Sequence, residues 1–89
     1  MLKHLKSIIV KNMTMSMFKP GEVCRFEWWT TYKAPSASEK TEWCELVPGD
    51  VGKIVSVYPD DEHGYSATVK FDRIGKAVKL RKSMLKKAA

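Results

Sequence analysis

The residues of this chain that could bind a metal or exchange electrons are two cysteines and two histidines. Cys24, Cys44, His4 and His63 are widely separated, and they form neither a C-x-x-C pair nor a close His pair. Protein zinc sites usually draw their ligands from such short spacings. A disulfide is chemically allowed, but a cytosolic setting argues against one. We therefore predict no metal and no cofactor, and we expect Cys24 to pack as a small hydrophobe.

The sequence also lacks the patterns of a catalytic site. No nucleophile and base stand at a recognisable spacing, and no glycine-rich phosphate loop is present. His63 follows Asp60, Asp61 and Glu62 in a run that ends at Gly64. Such residues are typical of a turn, so we interpret them as turn chemistry and not as a base or a metal site. We predict that the protein is not an enzyme.

Basic side chains offer a different chemistry, the neutralisation of phosphates. The 89 residues carry a net charge of +6, and six basic residues with no acid follow Gly75. Residues 18–59, in contrast, carry five basic and six acidic side chains. A basic end on a near-neutral body suggests a polyanionic partner. The alternative is that these lysines only keep a small protein soluble.

The predicted nucleic-acid contacts combine cations with aromatic rings. Lysine and arginine release counterions from phosphates, and tyrosine rings can stack on exposed bases. No recognition helix is evident, so we expect binding to DNA or RNA with little sequence specificity. The predicted contact residues are Lys53, Lys70, Arg73, Lys76, Lys79, Arg81, Lys82, Tyr58 and Tyr65.

Four predicted β-strands position these side chains. The runs 22–29, 49–58, 65–71 and 75–81 are rich in β-branched and aromatic residues and are bounded by Gly, Pro or Asp. This pattern is typical of strands joined by hairpins. The fold class is therefore predicted to be all-β, with a long surface loop over 30–45 after the first strand.

Period-two alternation predicts which strand residues face the core. The outward set includes most of the predicted cations together with Ser66 and Thr68. Gly52 predicts a bulge or a close backbone approach, and a spacing of three between two core residues of the second strand places a bulge near Val55 or Ser56. The inward set is Cys24, Phe26, Trp28, Ile54, Val57, Ala67, Val69, Phe71, Val78 and Leu80.

Aromatic residues flank the predicted long loop. Trp28, Trp29 and Tyr32 precede it, and Trp43 lies near its end. Tryptophan, tyrosine and arginine dominate the energetics of protein interfaces. We expect Trp43 to serve the core or a lid, and Trp29 and Tyr32 to be the better contact candidates. The predicted partner-binding residues are Trp29, Tyr32, Lys33 and Trp43.

The chain ends are predicted to lie outside the β-domain. Residues 1–17 form an extension with helical spacing of Leu2, Leu5 and Ile8, and residues 88–89 form a tail. Residues 83–87 are predicted to make one helical turn that packs Met84 or Leu85 on the domain 18–87. No apolar run approaches the ~20 residues of a membrane span, so we expect a cytoplasmic protein, monomeric or weakly dimeric through exposed strand edges.

The segments 49–57, 69–71 and 75–80, with Leu85, resemble a KOW-type SH3-like barrel of four to five strands. Phe18-Lys19-Pro20-Gly21-Glu22 is also similar to the start of the first strand in that family. Bacterial transcription elongation factors and several ribosomal proteins carry such modules. The resemblance implies contact with nucleic acid or with nucleic-acid machinery. The insertion at 30–45 and the dense tryptophans depart from the family pattern and suggest a phage-like accessory protein.

Two functions are therefore carried forward. The first is a small basic nucleic-acid-binding protein that regulates transcription or translation. The second is an interaction module or inhibitor that binds a polymerase, a nuclease or a ribosome component through the tryptophan-flanked loop. The two functions are compatible, because one domain can bind both a polymerase and DNA.

Overall fold

A computed structural model describes residues 18–88, and 46% of these lie in strands against 4% in helix, so the domain is all-β. The predicted helix within 1–17 lies outside the described residues. One 3-10 turn spans Lys82–Met84. The seven strands are β1 Val23–Phe26, β2 Tyr32–Pro35, β3 Trp43–Leu46, β4 Val51–Val57, β5 Ala67–Phe71, β6 Lys76–Leu80 and β7 Leu85–Lys87.

Five of the strands form one antiparallel sheet in the order β6-β5-β4-β1-β7. The predicted alternation explains this sheet, because most of the inward positions, including Cys24, Phe26, Val69 and Phe71, are buried while the residues between them are mostly exposed. Burying one face of each strand removes apolar area from water and leaves the second face solvated.

The segment predicted as a long loop is instead a hairpin. β2 and β3 pair from Tyr32 opposite Leu46 to Pro35 opposite Trp43, and they form a separate two-stranded sheet. An isolated bridge between Ser36 and Val78 joins this hairpin to β6. The prediction of a loop was wrong because Ala34, Cys44 and Leu46 alternate inward and are buried in the core. The two sheets do not close into a barrel.

The junction of β4 and β5 confirms two predictions. The register shifts between Ile54 and Ser56, so a bulge reconciles the spacing of the inward residues of β4. Gly52 is a point of close approach, because a Cβ there would lie 2.8 Å from the carbonyl oxygen of Lys70 and 2.9 Å from Phe71. Only glycine fits between these strands without a shift of backbone, which fixes the position of the neighbouring Lys53.

The core lies between the large sheet and the β2–β3 hairpin. Its largest fully buried side chains include Phe26, Phe71, Leu46 and Leu80. The rings of Phe26 and Phe71 meet edge to face, with centroids 6.5 Å apart and an interplanar angle of 88°. Trp28 and Val57 pack against this cluster from its margin, in agreement with their predicted inward orientation.

The carboxyl-terminal region differs from the predicted helical turn over 83–87. The 3-10 turn begins one residue earlier and ends at Met84, after which β7 pairs with β1. Met84 and Leu85 are both buried. Their adjacency explains the difference, since the short turn buries Met84 and the following strand then buries Leu85 on the same core.

Candidate nucleic-acid interface

The outward face of the large sheet carries a row of residues that crosses four strands. Val23, Lys53, Lys70 and Ala77 are consecutive partners on β1, β4, β5 and β6. Lys53 and Lys70 are exposed, and neither takes part in an ion pair with any residue in 18–88. Like charges directly opposite each other on adjacent strands destabilise a sheet. The fold therefore keeps two unneutralised cations side by side.

A second row on the same face adds a third cation and an aromatic ring. Lys79 stands opposite Thr68 on the neighbouring strand. The hydroxyl groups of Tyr58 and Thr68 are 3.1 Å apart and share a hydrogen bond. Thr68 was predicted to be exposed, but it is 8% exposed because Tyr58 lies across it. The same bond fixes the half-buried phenol of Tyr58 beside the lysines.

Exposed valines share this face with the cations. Val23 is 47% exposed, Val55 is 50% exposed and Val51 is 37% exposed. We call the set Lys53, Lys70, Lys79, Tyr58, Val23 and Val55 the lysine face. Sequence reasoning missed the valines as interface residues, although the alternation that placed Cys24 and Phe26 inward also placed Val23 outward.

Arg73 was predicted to contact nucleic acid, but its guanidinium, although half exposed, is bound to acceptors of the protein itself. Its Nε and Nη2 donate to the two carboxylate oxygens of Asp50 at 2.8 and 2.9 Å, and Nη2 also donates to the carbonyl of Glu45 at 2.8 Å. Asp50 is 7% exposed and also accepts a bond from the Val47 amide. The hydrogen bonds from Arg73 hold the pKa of the Asp50 carboxyl below its usual value.

Lys76, another predicted contact, also has an acidic partner. Its ammonium group forms an ion pair with Glu42, which lies on the β2–β3 hairpin. The hydrogen bond from Lys76 to Glu42 raises the pKa of the lysine. Arg73 and Lys76 thus join the hairpin region to the β5–β6 turn, and their charges are locally neutralised.

Arg81 and Lys82 lie in a cleft of about 450 Å³ beyond the end of β6. The cleft is lined by Asp60, Gly64, Ser66, Arg81, Lys82 and Ser83. Ser66 was predicted to be exposed; it is 3% exposed because its hydroxyl accepts a bond from the Lys82 amide at 3.0 Å. Ser66 and Ser83 are further lining residues that sequence reasoning did not find.

The loop between β4 and β5 is organised by Asp61. Its carboxylate accepts bonds from the amides of His63 and Tyr65, both at 2.9 Å. Desolvation opposes the charge of Asp61, but these bonds outweigh it and lower the pKa of the carboxyl. This is the turn chemistry predicted for the acidic segment. Burial raises the pKa of the neighbouring Tyr65 phenol, assisted by Tyr32 and Asp61 and opposed by Arg81.

The predicted partner-binding residues are divided between the surface and the core. Trp29 is 83% exposed and Trp43 is 57% exposed, so the assignment of Trp43 to the core or a lid was wrong. Tyr32 packs instead against the core, with its ring centroid 6.3 Å from that of Phe26. Lys33 is exposed opposite Glu45, on the face of the hairpin that also carries Trp43.

The basic residues near the carboxyl terminus do not form one patch. β6 and β7 are the opposite edges of the large sheet, so Lys79 is separated from Lys86 and Lys87 by three intervening strands. Lys87 also pairs with Glu22 at 3.5 Å. The candidate interface therefore combines cations from β4, β5 and β6 and excludes those of β7.

The structure also places the residues considered for metal or redox chemistry. Cys24 and Cys44 are buried free thiols, and burial together with the charge of Glu22 raises the pKa of Cys24 to about 11. Within residues 18–88, no group of three or more His, Cys, Asp or Glu side chains is arranged to hold a metal. None of the helical segments described has the length and apolar character of a membrane span.

Comparisons with known proteins found no matching family model, curated protein or solved structure. The similarity to KOW-type barrels thus stays a prediction from the residues quoted above.

Proposed function

We propose that this domain binds nucleic acid through the lysine face, with low sequence specificity and without catalysing a reaction. The observation that carries the proposal is the direct opposition of Lys53 and Lys70 without an acidic partner in the described part of the chain. A phosphate backbone relieves that repulsion and releases counterions in doing so.

The other residues of the lysine face also suit contact with a strand of nucleic acid. Tyr58 and the exposed valines place apolar surface next to the cations, and sugars and bases can pack on such surface. The only helical element in 18–88 is a three-residue turn, which is too short to read base edges in a major groove. Contacts to phosphates position a nucleic acid but carry no direct sequence information.

We further propose that the domain is SH3-like and related to KOW-type modules. The proposal is supported by the glycine-marked strand β4, its hairpin with β5, and a last strand that follows a short turn and pairs with β1. Small folds of this kind host many functions, so the functional proposal depends on the lysine face and not on the fold.

The test is a salt titration of binding. We expect fluorescein-labelled single-stranded and duplex DNA and RNA to bind at low salt, measured by fluorescence anisotropy. Three phosphate contacts predict a slope of log K against log salt of roughly −2 to −3. The variant Lys53→Glu/Lys70→Glu should lose at least about tenfold in affinity, since it reverses both opposed charges.

The matched control is Lys33→Glu/Lys40→Glu, which changes net charge equally at exposed positions of the hairpin. We expect it to lower affinity much less, because long-range effects of exposed charges are screened by salt. An equal loss for the two double variants would contradict a localised interface. Circular dichroism is the check that each variant is folded.

The exposed tryptophans favour a second candidate, a protein-interaction surface. Trp29 and Trp43 project into solvent at the β2–β3 side of the domain, and aromatic anchors of this type are typical of interface hot spots. A pull-down with and without nuclease separates direct partners from those bridged by nucleic acid. Trp29→Ala/Trp43→Ala should release a direct partner such as a polymerase or ribosome component, and retention of that partner would exclude this surface.

A further inference from the structure

The cleft beside the lysine face has the composition of an anion site. Arg81, Lys82 and Ser83 are consecutive lining residues of the cleft, so a guanidinium-bearing, an ammonium-bearing and a hydroxyl-bearing side chain follow one another along its edge. Ser66 also lines the cleft and adds a second hydroxyl beside Lys82. Its oxygen already accepts the Lys82 amide, which leaves its own proton free to be donated to a ligand.

Arg81 is held in position without being neutralised. Its guanidinium lies against the backbone of Gly64, where an added Cβ would come within 3.0 Å of Nη2 and 3.1 Å of Nε. Gly64 also has a φ of +83°, which favours glycine. No carboxylate in residues 18–88 forms an ion pair with Arg81 or Lys82. The donors therefore remain available for an anion.

The size and charge of the cleft indicate the class of ligand. The cleft has a volume of about 450 Å³ and is open to solvent, so it has room for a phosphate group at the end of a longer molecule. Arginine and lysine with two hydroxyls match the several acceptor oxygens of a phosphate group. Asp60 is the one acidic lining residue, and it opposes an anion.

We propose that this cleft binds the terminal phosphate of a nucleic-acid strand, a phosphomonoester at its 5′ or 3′ end. The inference rests on the proposed function, since the lysine face would hold internal phosphates of the same strand. A terminal phosphomonoester carries more negative charge than an internal diester and exposes three oxygens. Such an end group therefore offers these donors more charge and more acceptor oxygens than an internal phosphate does.

The experiment compares short single strands of one sequence that carry a 5′-phosphate, a 3′-phosphate or hydroxyls at both ends, each labelled at an internal position. We expect one phosphorylated strand to bind on the order of tenfold more tightly than the hydroxyl strand, as one or two charge-assisted hydrogen bonds would give. The preferred end then fixes the polarity of the strand on the domain.

Two variants with opposite expected effects test the cleft. Arg81→Gln/Lys82→Gln should reduce the ratio between phosphorylated and hydroxyl strands to about one, whatever its effect on overall affinity. Asp60→Asn removes the opposing charge and should raise that ratio a few-fold. Lys53→Glu/Lys70→Glu should weaken all strands while keeping the ratio, because those lysines lie outside the cleft.

The outcomes separate the two proposals. Equal binding of all three strands to the wild-type protein overturns the terminal-phosphate site and leaves the lysine face intact. If no strand binds, adenosine 5′-monophosphate is titrated while the amide signals of Gly64, Ser66, Lys82 and Ser83 are followed by NMR. Shifts confined to these signals keep the phosphate site and overturn the proposed function, whereas unchanged signals overturn both.

Discussion

Two regions of this domain use the same residue types for opposite purposes. On the lysine face, Lys53 and Lys70 oppose each other, and no acid within residues 18–88 pairs with either of them. At the β5–β6 turn, Arg73 and Lys76 are bound to Asp50 and Glu42. The difference teaches that a cation's role is decided by its neighbours in space. We call the second region the paired end, and it comprises these four residues.

At the paired end the main expected contribution to stability comes from Asp50, whereas our proposal gives the lysine face a role in binding. The buried Asp50 carboxylate accepts hydrogen bonds from the Val47 amide and the Arg73 guanidinium, so its loss leaves these part-buried donors without that partner. The lysines of the other region are exposed, and removing one relieves repulsion. Substitutions of Asp50 and of the opposed lysines should therefore move stability in opposite directions.

The largest expected effect is at Asp50. Asp50→Ala should lower the free energy of unfolding by about 2–3 kcal/mol, since it breaks hydrogen bonds to a charged group and to the Val47 amide. For a domain of this size that corresponds to a fall in the unfolding midpoint of roughly 10–20 °C, measured by thermal denaturation. Asp72→Ala is the matched control, because Asp72 is exposed nearby. Similar losses for both variants would show that Asp50 has no special role.

A smaller effect of opposite sign is expected at Lys70. Lys70→Glu places a carboxylate directly opposite Lys53, and an opposite-charge pair on adjacent strands stabilises a sheet by about 0.5 kcal/mol. The same change should weaken nucleic-acid binding several-fold. Urea denaturation and anisotropy measure the two quantities on one sample. A variant that loses stability while keeping its affinity would contradict the division between the regions.

The dependence of stability on pH should also separate the regions. The pKa of Asp50 is lower in the folded protein than its ordinary value of 3.8, so its contribution is complete above that value and is lost as the pH falls towards the folded pKa. Urea midpoints should therefore fall below about pH 4. Asp61 acts in the same direction. Asp50→Asn should flatten the dependence of the urea midpoint on pH. If the variant and the wild type show the same dependence, other groups cause the loss of stability in acid.

The smallest effect is expected at Lys76. Its ion pair with Glu42 is exposed, and such pairs contribute little because water and salt screen them. Lys76→Gln should leave both the unfolding midpoint and the affinity for nucleic acid unchanged within error. A clear loss of affinity would move Lys76 from the paired end to the interface.

Much of the fold was predictable because the strands and their buried faces follow from patterns within short segments of the sequence. The alternation along 22–29 and 65–71 identified the buried Cys24, Phe26, Val69 and Phe71, and the irregular spacing near Val55 located the bulge. The hairpin at β2–β3 was missed because proline, serine and alanine favour a loop locally. Its strands are stabilised by burial of Ala34, Cys44 and Leu46 against distant parts of the chain, which a local pattern does not contain.

The sequence by itself determined an all-β domain, its inward residues and its supply of cations, because strand periodicity and composition are local properties. Only the tertiary structure decided which cations stay free. Asp50 and Arg73 are 23 residues apart and Glu42 and Lys76 are 34 apart, and the sheet order separates β6 from β7. Electrostatic interactions are strong only over a few ångströms. Which charges pair therefore depends on distances in the folded protein, and the order of residues in the sequence does not give these distances.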